Sequence, residues 1–131
     1  IEAETPYIEW LPKSQKDDIM PISLKNLPKE AVNTQLVNGI INDGRKHTVC
    51  GNVVSTKKHK KGHVFINLDK KFPNQVFSIS IFESNIKNFD YEPEIYLINK
   101  QVCFKGEIGE YSNTPNMVLE HSKQVKLLEN Y

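Results

Sequence analysis

The spacing of hydrophobic residues changes character near residue 44. Before it, Leu27, Ala31, Val32 and Leu36 recur at about one helical turn, which predicts a short helix over Lys29–Val37. Pro28 suits its first position, Gly39 its end, and Asn42-Asp43-Gly44 a turn after it. Beyond the turn the period drops to two, the mark of strands buried on one side. His47–Ser55 places Val49, Gly51 and Val53 together. His63–Leu68 sets Val64, Ile66 and Leu68 against His63, Phe65 and Asn67. Val76–Phe82 sets Phe77, Ile79 and Ile81 against Ser78, Ser80 and Phe82. Gln101–Ile108 sets Val102, Phe104 and Ile108 against Cys103, Lys105 and Glu107. A fifth strand is expected over Asn116–Glu120, and Ser122–Leu128 closes the chain as a strand or a helical turn. Glu83–Phe89 fits one or two helical turns, and Asp90–Asn99, with Pro93, a loop. Asp69–Gln75 must turn at Phe72-Pro73-Asn74. Residues 1–22, with Pro6, Pro12 and Pro21, read as an extended lead-in held to the body by Tyr7 and Trp10.

Short strands at regular spacing point to a barrel or sandwich. Gly51 and Gly106, central in their strands, suit the sharp bends of a small barrel. The expected fold is mainly β: a five-stranded Greek-key barrel of the OB type over residues 44–131. A short helix joins its third and fourth strands. Residues 1–43 form an N-terminal extension containing a short helix. At 131 residues and 15.1 kDa the chain suits a single barrel domain carrying an arm.

Charge sharpens this picture. The total is +1, which excludes binding through bulk positive charge, yet the distribution is uneven. Residues 1–42 carry net −2, residues 43–88 net +6 and residues 89–131 net −3. The densest stretch, Lys57-Lys58-His59-Lys60-Lys61-Gly62, is expected to be the loop between the first two barrel strands, suited to phosphate contact. No apolar run reaches the roughly 18–20 residues of a membrane helix, so no membrane insertion is expected.

Catalytic and metal motifs are scarce. His47, His59, His63 and His121 include no HExxH spacing, and His59 and His63 lack an evident third ligand. No nucleophile elbow, P-loop or dinucleotide fingerprint occurs. No enzyme activity, metal or cofactor is expected. Cys50 and Cys103 lie on the outward parity of neighbouring strands, so a cross-strand disulfide and two free thiols both fit. The first residue is Ile, so a preceding segment is expected to have been removed, which leaves the compartment open. A cytoplasmic site would suit nucleic-acid binding; a periplasmic or secreted one would suit a disulfide.

The series Thr48-Val49-Cys50-Gly51-Asn52-Val53-Val54, the basic loop, Phe65-Ile66-Asn67-Leu68 and Phe77-Ser78-Ile79-Ser80-Ile81-Phe82 resembles bacterial OB-fold nucleic-acid-binding domains. Lys100–Ile108, Pro115–Leu119 and Ser122–Val125 continue the likeness, which spans residues 44–128. It implies a protein that binds single-stranded DNA or RNA on the face of its second and third strands. Lys57, Lys58, Lys60 and Lys61 would meet phosphates. His63, Phe65, Asn67, Ser78, Ser80 and Phe82 would form the face, with Phe65 the main stacking ring, Phe82 the second and Tyr111, in the loop between the fourth and fifth strands, a further one. The competing expectation is a protein-interaction or adaptor OB domain, open to export and without nucleic-acid binding, that holds a protein partner through the barrel and residues 1–43.

Overall fold

The computed structural model describes residues 7–10, 20–70 and 76–131, with Tyr7, Glu9 and Trp10 described through their backbone alone. The expected turn at Phe72-Pro73-Asn74 and the packing of Tyr7 and Trp10 fall outside the described residues and side chains. The described strands are β1 (Tyr7–Trp10), β2 (Ala31–Asn33), β3 (Lys46–His59), β4 (Val64–Leu68), β5 (Phe77–Ile81), β6 (Gln101–Tyr111), β7 (Thr114–Val118) and β8 (Val125–Leu127). Two single-turn helices, α1 (Glu83–Ile86) and α2 (Pro93–Tyr96), lie between β5 and β6.

Strands β3, β4, β5, β7 and β6 pair in that order, and β6 returns to β3, closing a mixed five-stranded barrel. Only the β5–β7 pairing within it is parallel. The order is consistent with an OB-type barrel. Strand β3 makes the closure by serving two neighbours. Lys46–Asn52 pairs with β6, and Val53–Lys58 pairs with β4 across a register shift between Val53 and Ser55. Strands β1 and β2 lie along β3, and β8 lies along β6.

The inward sets expected from the period of two form the core. Val49, Val53, Val64, Ile66, Leu68, Phe77, Ile79, Ile81, Val102, Phe104 and Ile108 are all buried in one cluster, joined by Met117 and Leu119. β-Branched and aromatic residues dominate it, as suits side chains packed on a pleated sheet. A side chain at Gly51 would start 3.0–3.1 Å from Leu68, and one at Gly106 would start 3.1 Å from Met117. These two glycines let neighbouring side chains fill the narrow interior.

Outside the barrel, Cys50 and Cys103 are register partners on β3 and β6 and are joined by a disulfide. It is buried beneath Ile22, Leu27, Ala31 and Leu128.

The helix expected over Lys29–Val37 is replaced by β2 and a 3₁₀ segment over Thr34–Ile40. Val32, Asn33 and Thr34 are weak helix formers. Val32 instead joins a parallel pairing with Val49, and the Asn33 side chain accepts from the Gln35 N–H, starting the 3₁₀ turn. The segment is tied to the barrel at Asp69, which is 1% exposed. Its carboxylate accepts from the Thr34 hydroxyl, the Asn52 N–H at 3.0 Å and the Asn52 side-chain amide at 2.9 Å. The expected loop at Asp90–Asn99 contains α2, because Pro93 sits in the first turn, where no backbone N–H is needed. Residues 122–128 take both expected forms, a 3₁₀ turn over Ser122–Gln124 and then β8. No helix of the described residues is long and apolar enough to cross a membrane.

Candidate functional site

The side of β4 and β5 opposite the core carries a continuous row of small polar residues. Register pairing runs Ser55–Asn67–Ser78–Asn116–Gly109 across β3, β4, β5, β7 and β6. Paired strands lie about 5 Å apart, so each residue can bond to the next. Asn67 donates its amide to the Ser55 hydroxyl at 3.0 Å. The Asn116 amide donates to the hydroxyls of Ser78 at 2.9 Å and Ser80 at 3.0 Å. Asn67, Ser80 and Asn116 are buried and Ser78 is half-buried, so the row forms a level, internally bonded floor.

One step along the strands, a second row runs Lys57–Phe65–Ser80–Val118. The Phe65 ring is half-buried and Val118 is exposed. On the other side of the floor, Tyr111 pairs with Thr114 at the end of the β6–β7 hairpin and is 73% exposed. Ser112 and Asn113 between them have φ of 50° and 65°, the left-handed pair of a tight two-residue hairpin turn.

The β3–β4 hairpin closes one end of this face. Strand β3 continues to His59, so Lys57 and Lys58 are strand residues, and the expected six-residue loop shrinks to a turn over Lys60, Lys61 and Gly62. The His59 N–H donates to the His63 carbonyl at 2.8 Å. Gly62 holds φ 102°, a conformation that favours glycine. His63 Nδ1 accepts from the Glu83 N–H at 3.0 Å, binding the hairpin to the start of α1. Its ring meets Phe82 edge-on, with centroids 5.6 Å apart, and Phe82 is 43% exposed. Lys60 and Lys61 are exposed at the tip.

Lys58 departs from the expected group. It pairs with Val64, so it shares the parity of the core side and faces the barrel end covered by α2. Its Nζ lies 3.5 Å from Oε2 of Glu94, whose carboxylate is buried. The Thr56 hydroxyl donates to the Glu94 carbonyl at 2.7 Å. Lys58, 37% exposed, thus pairs with a buried acid on the core-side parity, while Lys57 lies on the parity of Phe65. Of the expected residues, Lys57, Phe65, Asn67, Ser78 and Ser80 therefore share one face. His63, Phe82, Lys60 and Lys61 gather at its hairpin end, and Tyr111 stands beyond the floor.

Asn116 was not singled out from the sequence. Its place follows from the parallel β5–β7 pairing, which alternation within a five-residue strand does not reveal. From Asn116 the face opens into a groove of about 660 Å³ over β6 and β7, floored by Gly109 and lined by Asn42, Lys46, Glu107, Glu110, Val118 and Glu120. Near it, Asp43 binds His47 at 2.7 Å. The Arg45 N–H first and His47 second hold the Asp43 carboxyl below its usual value.

Among the described residues, no three His, Cys, Asp or Glu side chains are grouped to hold a metal ion. Comparison with protein-family models, curated proteins and solved structures finds no match.

Proposed function

We propose that this protein is a non-enzymatic binder of single-stranded nucleic acid, built on a Greek-key barrel of the OB type. The observation that supports this reading most is the pairing of Lys57 with Phe65 beside the polar floor of Asn67, Ser78 and Asn116. A base stacked on an aromatic ring gains about 1–3 kcal/mol with little regard to its identity. Lys57, Lys60 and Lys61 attract the adjoining phosphates and release their counterions. Phe82 and Tyr111 offer rings at the two ends of the face. The amide nitrogens of Asn67 and Asn116 are spent within the floor, so it shapes the surface and leaves most of the affinity to the rings and lysines.

The test is fluorescence anisotropy of a labelled oligo-dT at about 50 and 200 mM salt. Binding should weaken with salt. Lys60→Glu with Lys61→Glu should reduce the salt slope, and Phe65→Ala should weaken binding about 5- to 150-fold. Absence of binding at low salt with tens of micromolar protein would refute the proposal.

The buried Cys50–Cys103 disulfide favours a second reading, an exported adaptor, because such bonds persist in oxidising compartments. That reading expects no salt-sensitive oligonucleotide binding, and a protein partner held through residues 1–43.

A further inference from the structure

We infer that the groove over β6 and β7 receives base edges and prefers bases that present amino and imino donors, guanine above all, over thymine or uracil. This rests on the nucleic-acid reading and adds base preference to it.

Two independent observations meet here. The first is Asn116, which lines the groove with only 9% of its surface exposed. Its amide nitrogen is spent on Ser78 and Ser80, and the contact to the Ser78 carbonyl at 3.3 Å fixes which end of the amide is the donor. Its Oδ1 accepts from no described residue. With the nitrogen engaged on β5, the Oδ1 of this groove-lining residue is left to accept from a ligand N–H.

The second observation is the chemistry of the walls. Glu107, Glu110 and Glu120 supply carboxylates, and Lys46 is the one cation among the lining residues. Carboxylates accept hydrogen bonds and repel phosphates, so a strand crossing here must turn its bases inward. Its phosphates stay on the side of Lys57, Lys60 and Lys61. Guanine offers an imino and an amino donor side by side, matching the two oxygens of a carboxylate. Thymine and uracil place carbonyl oxygens on both sides of a single imino donor, and those oxygens meet the carboxylates unfavourably. Cytosine and adenine, each with one amino group, fall between.

The experiment uses the whole chain and three labelled oligonucleotides: oligo-dT, the same strand with scattered guanines, and that strand with inosine at each guanine. Inosine lacks only the amino group. The guanine strand should bind about tenfold more tightly than oligo-dT, and the inosine strand should lose most of the gain. Glu107→Gln with Glu110→Gln, both at exposed positions, should abolish the preference and, by removing two charges that repel phosphates and thymine oxygens, raise oligo-dT affinity. Equal binding of all three strands would overturn the inference and leave nucleic-acid binding intact. Binding of none would overturn both. A Lys/Arg-rich peptide that binds, and is weakened by the glutamine variant while the oligonucleotides are not, would assign the groove to a cationic protein segment and overturn the inference.

Discussion

Replacing Cys50 and Cys103 together by alanine tests how the barrel is closed. The two residues are 53 positions apart and join β3 to β6, the pairing that completes the ring. In the chain-entropy account, a bond spanning that length restricts the unfolded chain by about 14 cal/mol/K, or about 4 kcal/mol at 25 °C. Unfolding entropy near the midpoint is about 2.1 cal/mol/K per residue, so for 131 residues the loss corresponds to a fall in Tm of about 15 °C. Alanine is the suitable replacement because both sulfurs are buried, and serine would add buried hydroxyls with no assigned partner. Thermal unfolding followed by circular dichroism, without reductant, measures the change. The cysteines contribute no side chain to the Phe65 face, so oligonucleotide affinity at 25 °C should hold. A fall in Tm below about 5 °C would refute the reasoning, since loop closure would then not be what the bond contributes.

Other perturbations separate the roles of single residues. Lys58→Met removes the cation beside the buried Glu94 carboxylate and should cost about 1–3 kcal/mol in denaturant unfolding, with oligo-dT affinity unchanged; a large loss of binding would contradict its placement away from Phe65. Gly62→Ala forces a left-handed φ of 102° and brings a Cβ to 2.7 Å from Glu83 Cγ, so it should destabilise by about 1 kcal/mol or more, visible as a lower urea midpoint. Tyr91 is raised to about 12, by burial first and then by Tyr96 and Asp90. Its folded value lies above the unfolded one near 10, so its contribution to stability is full below pH 10 and fades as pH rises through about 12. Absorbance titration of tyrosinate should show a late-ionising group that Tyr91→Phe removes.

Much of the barrel is legible in the chain because a period of two leaves little choice about which side is buried. Phe77, Ile79 and Ile81 can share only one face of a strand, and that face is the core. The basic stretch misleads for a related reason. Lys57 and Lys58 carry no apolar signal, yet Phe65 and Val64 on β4 need register partners, and these two lysines supply them. Tertiary pairing thus extends a strand that composition reads as a loop, and alternation sends the two lysines to opposite sides. The Lys29–Val37 segment was decided by a similar competition, between helical spacing and an open backbone on β3 that β2 fills. The candidate site was legible strand by strand at Phe65, Asn67, Ser78 and Ser80. Asn116 was not, because its role depends on which strand lies beside β5.

The length of β3 has a consequence for how the molecule keeps to itself. Where β3 leaves β6 to follow β4, its other flank from Thr56 to His59 would stand open to solvent, a row of unspent donors and acceptors. Strand β1 occupies that row, with Trp10 opposite Thr56 and Tyr7 opposite His59. An unguarded flank is a template for any extended segment, including that of another molecule. The four residues of β1 therefore act as a stopper. A chain lacking residues 1–10 should show concentration-dependent self-association by size-exclusion chromatography, and a short peptide of that sequence added in excess should reverse it.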